Sequence, residues 1–244
     1  SPVTNPWSIS LIIILSNKIV VIDSGKYNYN VTFESVVKNC TSKTKAAILT
    51  HSSGIPINDI QIIAKFCKKN NIFLIEDCSQ AHGAKYSLNC VGNFGDIACF
   101  STMFSKMHST GGTGGVVYSK NQKFAKLLFA NADRGKNLYE KDNLYDARKF
   151  LLPALNFNSS EIACAIGISS LKKLKNTIFL RKNIYEYLSN NLSQYKDAIK
   201  FINYYDKYKF SSPYYLVIKI IDKNLLKNKL KLCKYIIKYN ININ

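Results

Sequence analysis

The chain has 244 residues, 47% of them hydrophobic, and a formal net charge of +19. That length accommodates one large α/β domain, alone or with an appendage, and the apolar share is enough for a core and excludes a disordered chain. No apolar stretch reaches bilayer length, and "SLIIIL" near the start is too short, with no basic residues ahead of it, to be a secretory signal.

The charge is almost all lysine, since arginine occurs only at Arg134, Arg148 and Arg181. Lysine is spread along the chain with asparagine and isoleucine, as compositional drift spreads it. A nucleic-acid footprint needs clustering and interleaved aromatics, so nucleic acid is not an expected partner. The seven cysteines are odd in number and form no C-x-x-C, which argues against a disulfide framework and a zinc site. No metal is expected, and the compartment is read as reducing, hence cytoplasmic.

In chain order, "KIVVID" (Lys18 to Asp23) reads as a strand and "TFESVVKNC" as a short helix. "KAAILT" (Lys45 to Thr50) is a strand closed by the turn "HSSGIP". "INDIQIIAKFCKKN" sets Ile60, Ile63, Ala64, Phe66 and Cys67 on one helical face, with lysines at the end the helix dipole favours. "NIFLIED", "IACFS" and "GVVYSK" follow as strands. This rhythm implies parallel pairing with right-handed crossovers, and the unbroken apolar runs imply a sheet covered on both faces. Beyond Lys120, "QKFAKLLFANADRGK" is helical and a tyrosine-rich loop runs to about Phe150. A long helix then starts at a cap on Ser159 or Ser160. Pro213 to Ile220 is a further strand, and a lysine-rich amphipathic helix follows. The division expected is 1–158 for a large α/β domain and 159–244 for a linking helix with the start of a small α+β domain. Both ends read as cut.

In open parallel sheets, ligands sit at the carboxyl ends of the strands. "NIFLIEDCSQAHGA" delivers Glu76 and Asp77 there, then Gln80 and His82. "IACFSTMFSK" delivers Ser101 and then Lys106, before the glycine cluster "GGTGG". Simpler readings exist for each. An acidic residue at a strand end often caps the next helix, and Glu76 fits that role or an ion pair better than catalysis. A loop lysine is usually solvated, and glycine clusters are ordinary turn chemistry.

Together, these pieces resemble the DegT/StrS family of vitamin B6-dependent sugar aminotransferases. The segments that carry the resemblance are "TKAAILTHSSGIPINDIQIIAKFCKKNNIFLIEDCSQAHGAKY", "VGNFGDIACFSTMFSK" and "FLLPALNFNSSEIACAIGISSLKKL", in that order and at fitting gaps. The resemblance implies an aspartate-aminotransferase-like large domain with pyridoxal 5′-phosphate as cofactor. It implies that Lys106 joins the cofactor as a Schiff base and then shuttles the proton. Asp77 pairs with the pyridine nitrogen, Gln80 packs by the ring and its phenolic oxygen, and Ser101 binds the phosphate. Asn156 reaches the phosphate of a neighbouring subunit, so a homodimer is implied. Trp7 falls near the aromatic that stacks on the ring, or is a plain core tryptophan. His51 and His82 are expected to be hydrogen-bonded structural residues.

The sequence departs from the family pattern in places. The upstream phosphate-binding turn is absent, the small domain stops early, and Asn158 and Thr113 replace a basic and an acidic residue common in relatives. The function implied is transfer of an amino group, from an amino-acid donor such as glutamate, to a nucleotide-linked keto-sugar. The alternatives are a sugar dehydrase of the same fold, in which histidine replaces the lysine, and a non-catalytic or regulatory relative. Lys106, kept together with Asp77, Gln80 and Ser101, counts against both.

Overall fold

A computed structural model describes residues 10, 13–15, 18–25, 29–137, 149–202 and 204–241. Helix α1 (Phe33–Asn39) starts where a capping box allows it: Thr32 Oγ1 accepts from the Ser35 N–H, and Ser35 Oγ accepts from the Thr32 N–H. Strand β1 (Ala46–Thr50) leads through a short 3₁₀ turn (Ser52–Gly54) to α2 (Ile60–Lys69), which ends at Asn70 with Asn71 in the left-handed region. Strand β2 (Phe73–Asp77) follows, then a hairpin of β3 (Lys85–Tyr86) and β4 (Asn89–Cys90). Next come β5 (Ile97–Ser101), β6 (Gly115–Tyr118), α3 (Gln122–Ala132) and the 31-residue α4 (Glu161–Asn191). The remaining elements are β7 (Ile199–Phe201), β8 (Lys209–Phe210), β9 (Ile218–Ile220), α5 (Lys223–Lys227) and α6 (Lys229–Lys238).

The main sheet has the order β1-β2-β5-β6, with β1, β2 and β5 parallel and β6 antiparallel to β5. The expected class, α/β with a mostly parallel sheet, stands. The β5–β6 link carries no crossover helix, so the chain folds straight back and β6 runs antiparallel. The small sheets are β4-β3-β8 and β7-β9; β8 pairs with β3, so a strand from after the long helix closes onto the first half of the chain.

Alternate residues face opposite sides of each strand. One face buries Ala47, Leu49, Leu74 and Ala98, and α2 seals part of it with Ile60, Ile63 and Cys67. Each fully buried aliphatic side chain contributes about 1.5–3 kcal/mol. The other face is open among the described residues: Ile48 is 38%, Phe73 52% and Val117 50% exposed. Among the described residues, then, one face is covered and not the two expected. Two further expectations change. Lys18 to Asp23 forms no strand, because those residues have no ladder partner among the described residues, and Val20 and Val21 are more than half exposed. The strand expected over Pro213 to Ile220 shrinks to β9, because Ser212 and Tyr214 spend their backbone N–H groups on Gly54 O and Ser53 O. The cap of α4 is Ser160, whose Oγ accepts from the Ala163 N–H.

Candidate active site

Glu76 and Asp77 are neighbours on β2 and so point to opposite faces. Glu76 lies on the packed face at 0% exposure. Its Oε1 accepts from the N–H groups of Phe94 and Gly95, and its Oε2 from Gly92 N–H and His51 Nε2 at 2.8 and 3.1 Å. His51 Nδ1 accepts from Ile57 N–H, which places the ring proton on Nε2, facing Glu76. Burial pushes the Glu76 carboxyl up, but the hydrogen bonds from His51 and from the Gly95 and Gly92 N–H groups outweigh it and hold it below its ordinary value. Cys78 completes a buried trio whose ligand-type atoms lie within 4.8 Å. Both histidine nitrogens and all four acceptor positions of the carboxylate are committed, and burial pushes the Cys78 thiol far up, keeping it protonated. The trio is an interior bracket in which neutral His51 donates to Glu76, so His51 is the hydrogen-bonded structural residue expected and Glu76 is anchored by hydrogen bonds in place of an ion pair.

Asp77 lies on the open face, half-buried. Its Oδ1 accepts from Ser79 N–H at 3.0 Å and its Oδ2 from the Thr50 hydroxyl at 3.3 Å. No helix follows β2, so the carboxylate closes a turn rather than capping a helix. Among the described residues each oxygen accepts one hydrogen bond, which leaves it acceptor capacity. The register sets Asp77 opposite Thr50 on one side and Cys99 on the other. Ser101, two residues past Cys99, therefore shares this face one step further along. Gln80 stands in the next turn. Its Oε1 accepts from Ser53 N–H at 2.7 Å, which leaves Nε2 as the donor it offers outward.

The loop from β5 to β6 carries Lys106. Thr102 N–H donates to Gly114 O, Phe104 N–H to Gly112 O, and Lys106 N–H to Met103 O, so the loop is folded back over the end of β5. A side chain at Gly114 would meet the Thr102 and Thr110 hydroxyls at 2.8 and 3.0 Å. That crowding accounts for a glycine there. The lysine amine lies over the Tyr214 ring, 4.5 Å from its centroid. Burial raises the Tyr214 phenol, but the Ser105 hydrogen bond, the Lys106 charge and contacts with Tyr215 and Lys106 bring it below its ordinary value.

His82 departs from expectation. It is 4% exposed, and neither ring nitrogen has a hydrogen-bond partner among the described residues. Its ring packs against Phe100 and His108 at 5.6 and 6.0 Å. Burial first, then the His108 and Lys106 charges, push it down to about 4 despite the opposing Ser101 backbone, so it is neutral. The imidazole fills apolar space beside the lysine loop.

Asn156 is exposed. It pairs with Asp133 in an isolated bridge, and its Oδ1 accepts from Asn158 N–H. None of its hydrogen bonds reaches Asp77, Ser101 or Lys106. Trp7 lies outside the described residues. Tyr214 and Ser53 were not singled out by sequence reasoning: Tyr214 is 109 positions from its partner Ser105, and no local pattern marks either residue.

An open strand edge with a carboxylate, an amide donor, a hydroxyl and a lysine fits a site for an anionic, aromatic cofactor. The model of the DegT/DnrJ/EryC1/StrS aminotransferase family matches residues 1–243, and the chain belongs to that family. It is 29% identical over 175 residues to GDP-perosamine synthase of Escherichia coli O157:H7, an alignment covering 71% of this chain and 46% of that protein. The chain spans about half the length of the curated relatives it matches. The X-ray structure of the aminotransferase from Psychrobacter cryohalolentis superposes with a TM-score of 0.89 at 24% identity, covering 98% of this chain and 63% of that one. The Escherichia coli GDP-4-keto-6-deoxy-D-mannose-3-dehydratase structure with bound hydrated PLP superposes at 0.79 and 24% identity, over 91% and 58%. These two likenesses establish the fold. No helix among the described residues is long and apolar enough to cross a membrane.

Proposed function

We propose that the protein is a pyridoxal phosphate-dependent aminotransferase that moves an amino group from an amino-acid donor, such as glutamate, to a nucleotide-linked keto-sugar. The observation that carries this reading is the placing of Asp77 and Ser101 on the same open face of adjacent strands, with Lys106 on the loop that closes the same edge. When bound, the cofactor supplies a carbonyl that takes up the amino group and a pyridine ring that draws off electrons. The residues suit that group: Asp77 has acceptor capacity left for a protonated ring nitrogen, Gln80 Nε2 offers a donor to a phenolic oxygen, and the Ser101 hydroxyl offers one to the phosphate.

Asp77 would pair with the ring nitrogen and keep its proton in place. Lys106 Nζ, as a neutral amine, would carry the proton from the donor's Cα to the cofactor carbon that takes up the amino group, and would run the same transfer in reverse toward the acceptor's carbon. Asn156 serves the phosphate of a second subunit, which its exposed position away from the chain's own site supports; the assembly is a homodimer. Residues 1–158 form the cofactor-binding domain and 159–244 the linking helix and small domain. The products feed polysaccharide or lipopolysaccharide synthesis. The free thiols suit a cytoplasmic setting. Lys106 stands against the dehydratase reading, because in that branch a histidine takes the lysine's place.

The test is incubation of the protein with pyridoxal phosphate, glutamate and nucleotide-linked keto-sugars, with products resolved by mass. An amino-sugar nucleotide is expected, and none from Lys106→Ala. A product that has lost a hydroxyl and gained no nitrogen would replace the reading by the dehydratase one.

A further inference from the structure

Tyr214 arrives at the lysine from the far part of the chain, and every side of it is held. Its backbone N–H donates to Ser53 O, and its carbonyl accepts from Arg181 Nη1 at 2.9 Å. Its hydroxyl meets Ser105 Oγ at 3.3 Å, and its ring packs among Met107, Ile178 and Leu174. The residue is 9% exposed; its ring meets the Tyr215 ring at 4.4 Å and the Arg181 guanidinium at 5.9 Å, and the Lys106 amine is the nearer cation at 4.5 Å. Ser53 ties this tyrosine to Gln80: its N–H donates to Gln80 Oε1 and its carbonyl accepts from Tyr214, with Ser53 itself at φ +57°. A non-glycine residue in the left-handed region is strained and persists where surrounding bonds fix it. Gly54 beside it has no room for a side chain, since a Cβ would sit 1.7 Å from Ser212 O. The segment around Ser212 and Tyr214 is thus locked onto the turn after β1, and the ring position is set by the large domain as much as by its own strand.

We propose that Tyr214 is the positioning residue of Lys106: before the cofactor is bound, its ring face holds the amine as an ammonium. The inference rests on the reading of Lys106 given above. A ring face attracts a cation through its quadrupole, and the attraction grows as solvent is excluded. The ammonium form is unreactive, so the ring keeps the resting lysine both aimed and protonated. The amine becomes a nucleophile only as it leaves the ring. The tyrosine hydroxyl is bonded to Ser105, next to the lysine, which fixes the tilt of the ring.

The test uses isosteric rings. Tyr214 is replaced by Phe, 4-fluoro-Phe and 3,4,5-trifluoro-Phe, which keep the shape and progressively drain the ring face. The cofactor-free protein is acetylated with trace acetic anhydride at neutral pH, and Lys106 is mapped against the other lysines as internal references. Relative labelling of Lys106 is expected to change less than 2-fold in Tyr214→Phe and to rise from Phe to trifluoro-Phe by about 3- to 10-fold, the factor an ordinary cation–π contact makes. The 4-fluoro ring gives the intermediate point and stands in if the trifluoro protein does not fold. A purely structural tyrosine would leave the labelling flat across the series, and that result overturns the proposal. In parallel, each variant is loaded with pyridoxal phosphate and reduced with borohydride. Reduction at Lys106 with flat acetylation rejects the role of Tyr214 alone. Reduction at another lysine rejects the reading of Lys106 itself.

Discussion

Glu76 and Asp77 are adjacent carboxylates on one strand, and the sheet divides their work. Glu76 enters the packed face, where four donors converge on it and nothing is left over. Asp77 faces the open side, where a turn N–H and a threonine hydroxyl hold it in place and leave acceptor capacity unused. A saturated buried charge is a structural part, and breaking it costs stability. An oriented but unsaturated charge on an open edge is a chemical tool, and removing it costs activity. The pleat of the strand, which turns successive side chains to opposite faces, is what separates the two roles.

The sharpest break in that comparison is expected at Asp77. Asp77→Asn should lower turnover about 10³-fold, roughly 4 kcal/mol in barrier, while unfolding free energy stays within about 0.5 kcal/mol. Steady-state kinetics and urea unfolding on the same samples check both halves. Near-normal turnover would reduce Asp77 to a turn residue. Glu76→Gln should do the reverse and destabilise the fold by about 3 kcal/mol. One end of the amide would present N–H groups to the His51 Nε2–H and Gly92 N–H donors, and His51 cannot turn away because its Nδ1 is held by Ile57.

The pH dependence follows from the same groups. Glu76 titrates lower folded than unfolded, so its contribution is complete above the unfolded value of 4.5 and is lost as pH falls through the folded one. Glu76→Gln removes that acid limb. His82 titrates near 4 when folded against 6.5 unfolded. Between these values the unfolded chain binds a proton that the folded chain does not, so stability falls as pH drops through that window, by about 2–3 kcal/mol. His82→Phe should flatten the slope there, measured as urea midpoints from pH 7 to pH 4. An unchanged slope would mean that His82 is not held neutral.

The smallest expected signal concerns assembly. Lys106→Ala and Asn156→Ala proteins, mixed and allowed to exchange subunits, should recover about a quarter of wild-type activity. Half the dimers are mixed, and in each of those one site inherits neither defect. No recovery after proven exchange would place Asn156 in its own subunit's structure.

The sequence was most informative where structure is local. The faces of α2 and the runs that became β1, β2 and β5 could be read because apolar period and length decide them, and Ser160 because capping is a matter of a few residues. Asp77, Gln80, Ser101 and Lys106 stood out because strand ends concentrate ligands, and a motif resemblance added their roles. Features set by distant contacts stayed hidden. The valines of Lys18 to Asp23 have strand propensity but no partner strand among the described residues. The direction of β6 depends on how the lysine loop folds back. His82 could have been hydrogen-bonded, but its neighbours are Phe100 and another imidazole. Tyr214 reaches Lys106 only because Ser53 and Arg181 grip its backbone, and neither grip leaves a mark in local sequence.

The most direct measurement of the central claim is reduction with borohydride in the presence of pyridoxal phosphate, followed by peptide mapping. The account predicts one pyridoxyl group per chain, on Lys106, and none on that peptide in Lys106→Ala. A label spread over surface lysines, or concentrated on any other single lysine, would contradict it.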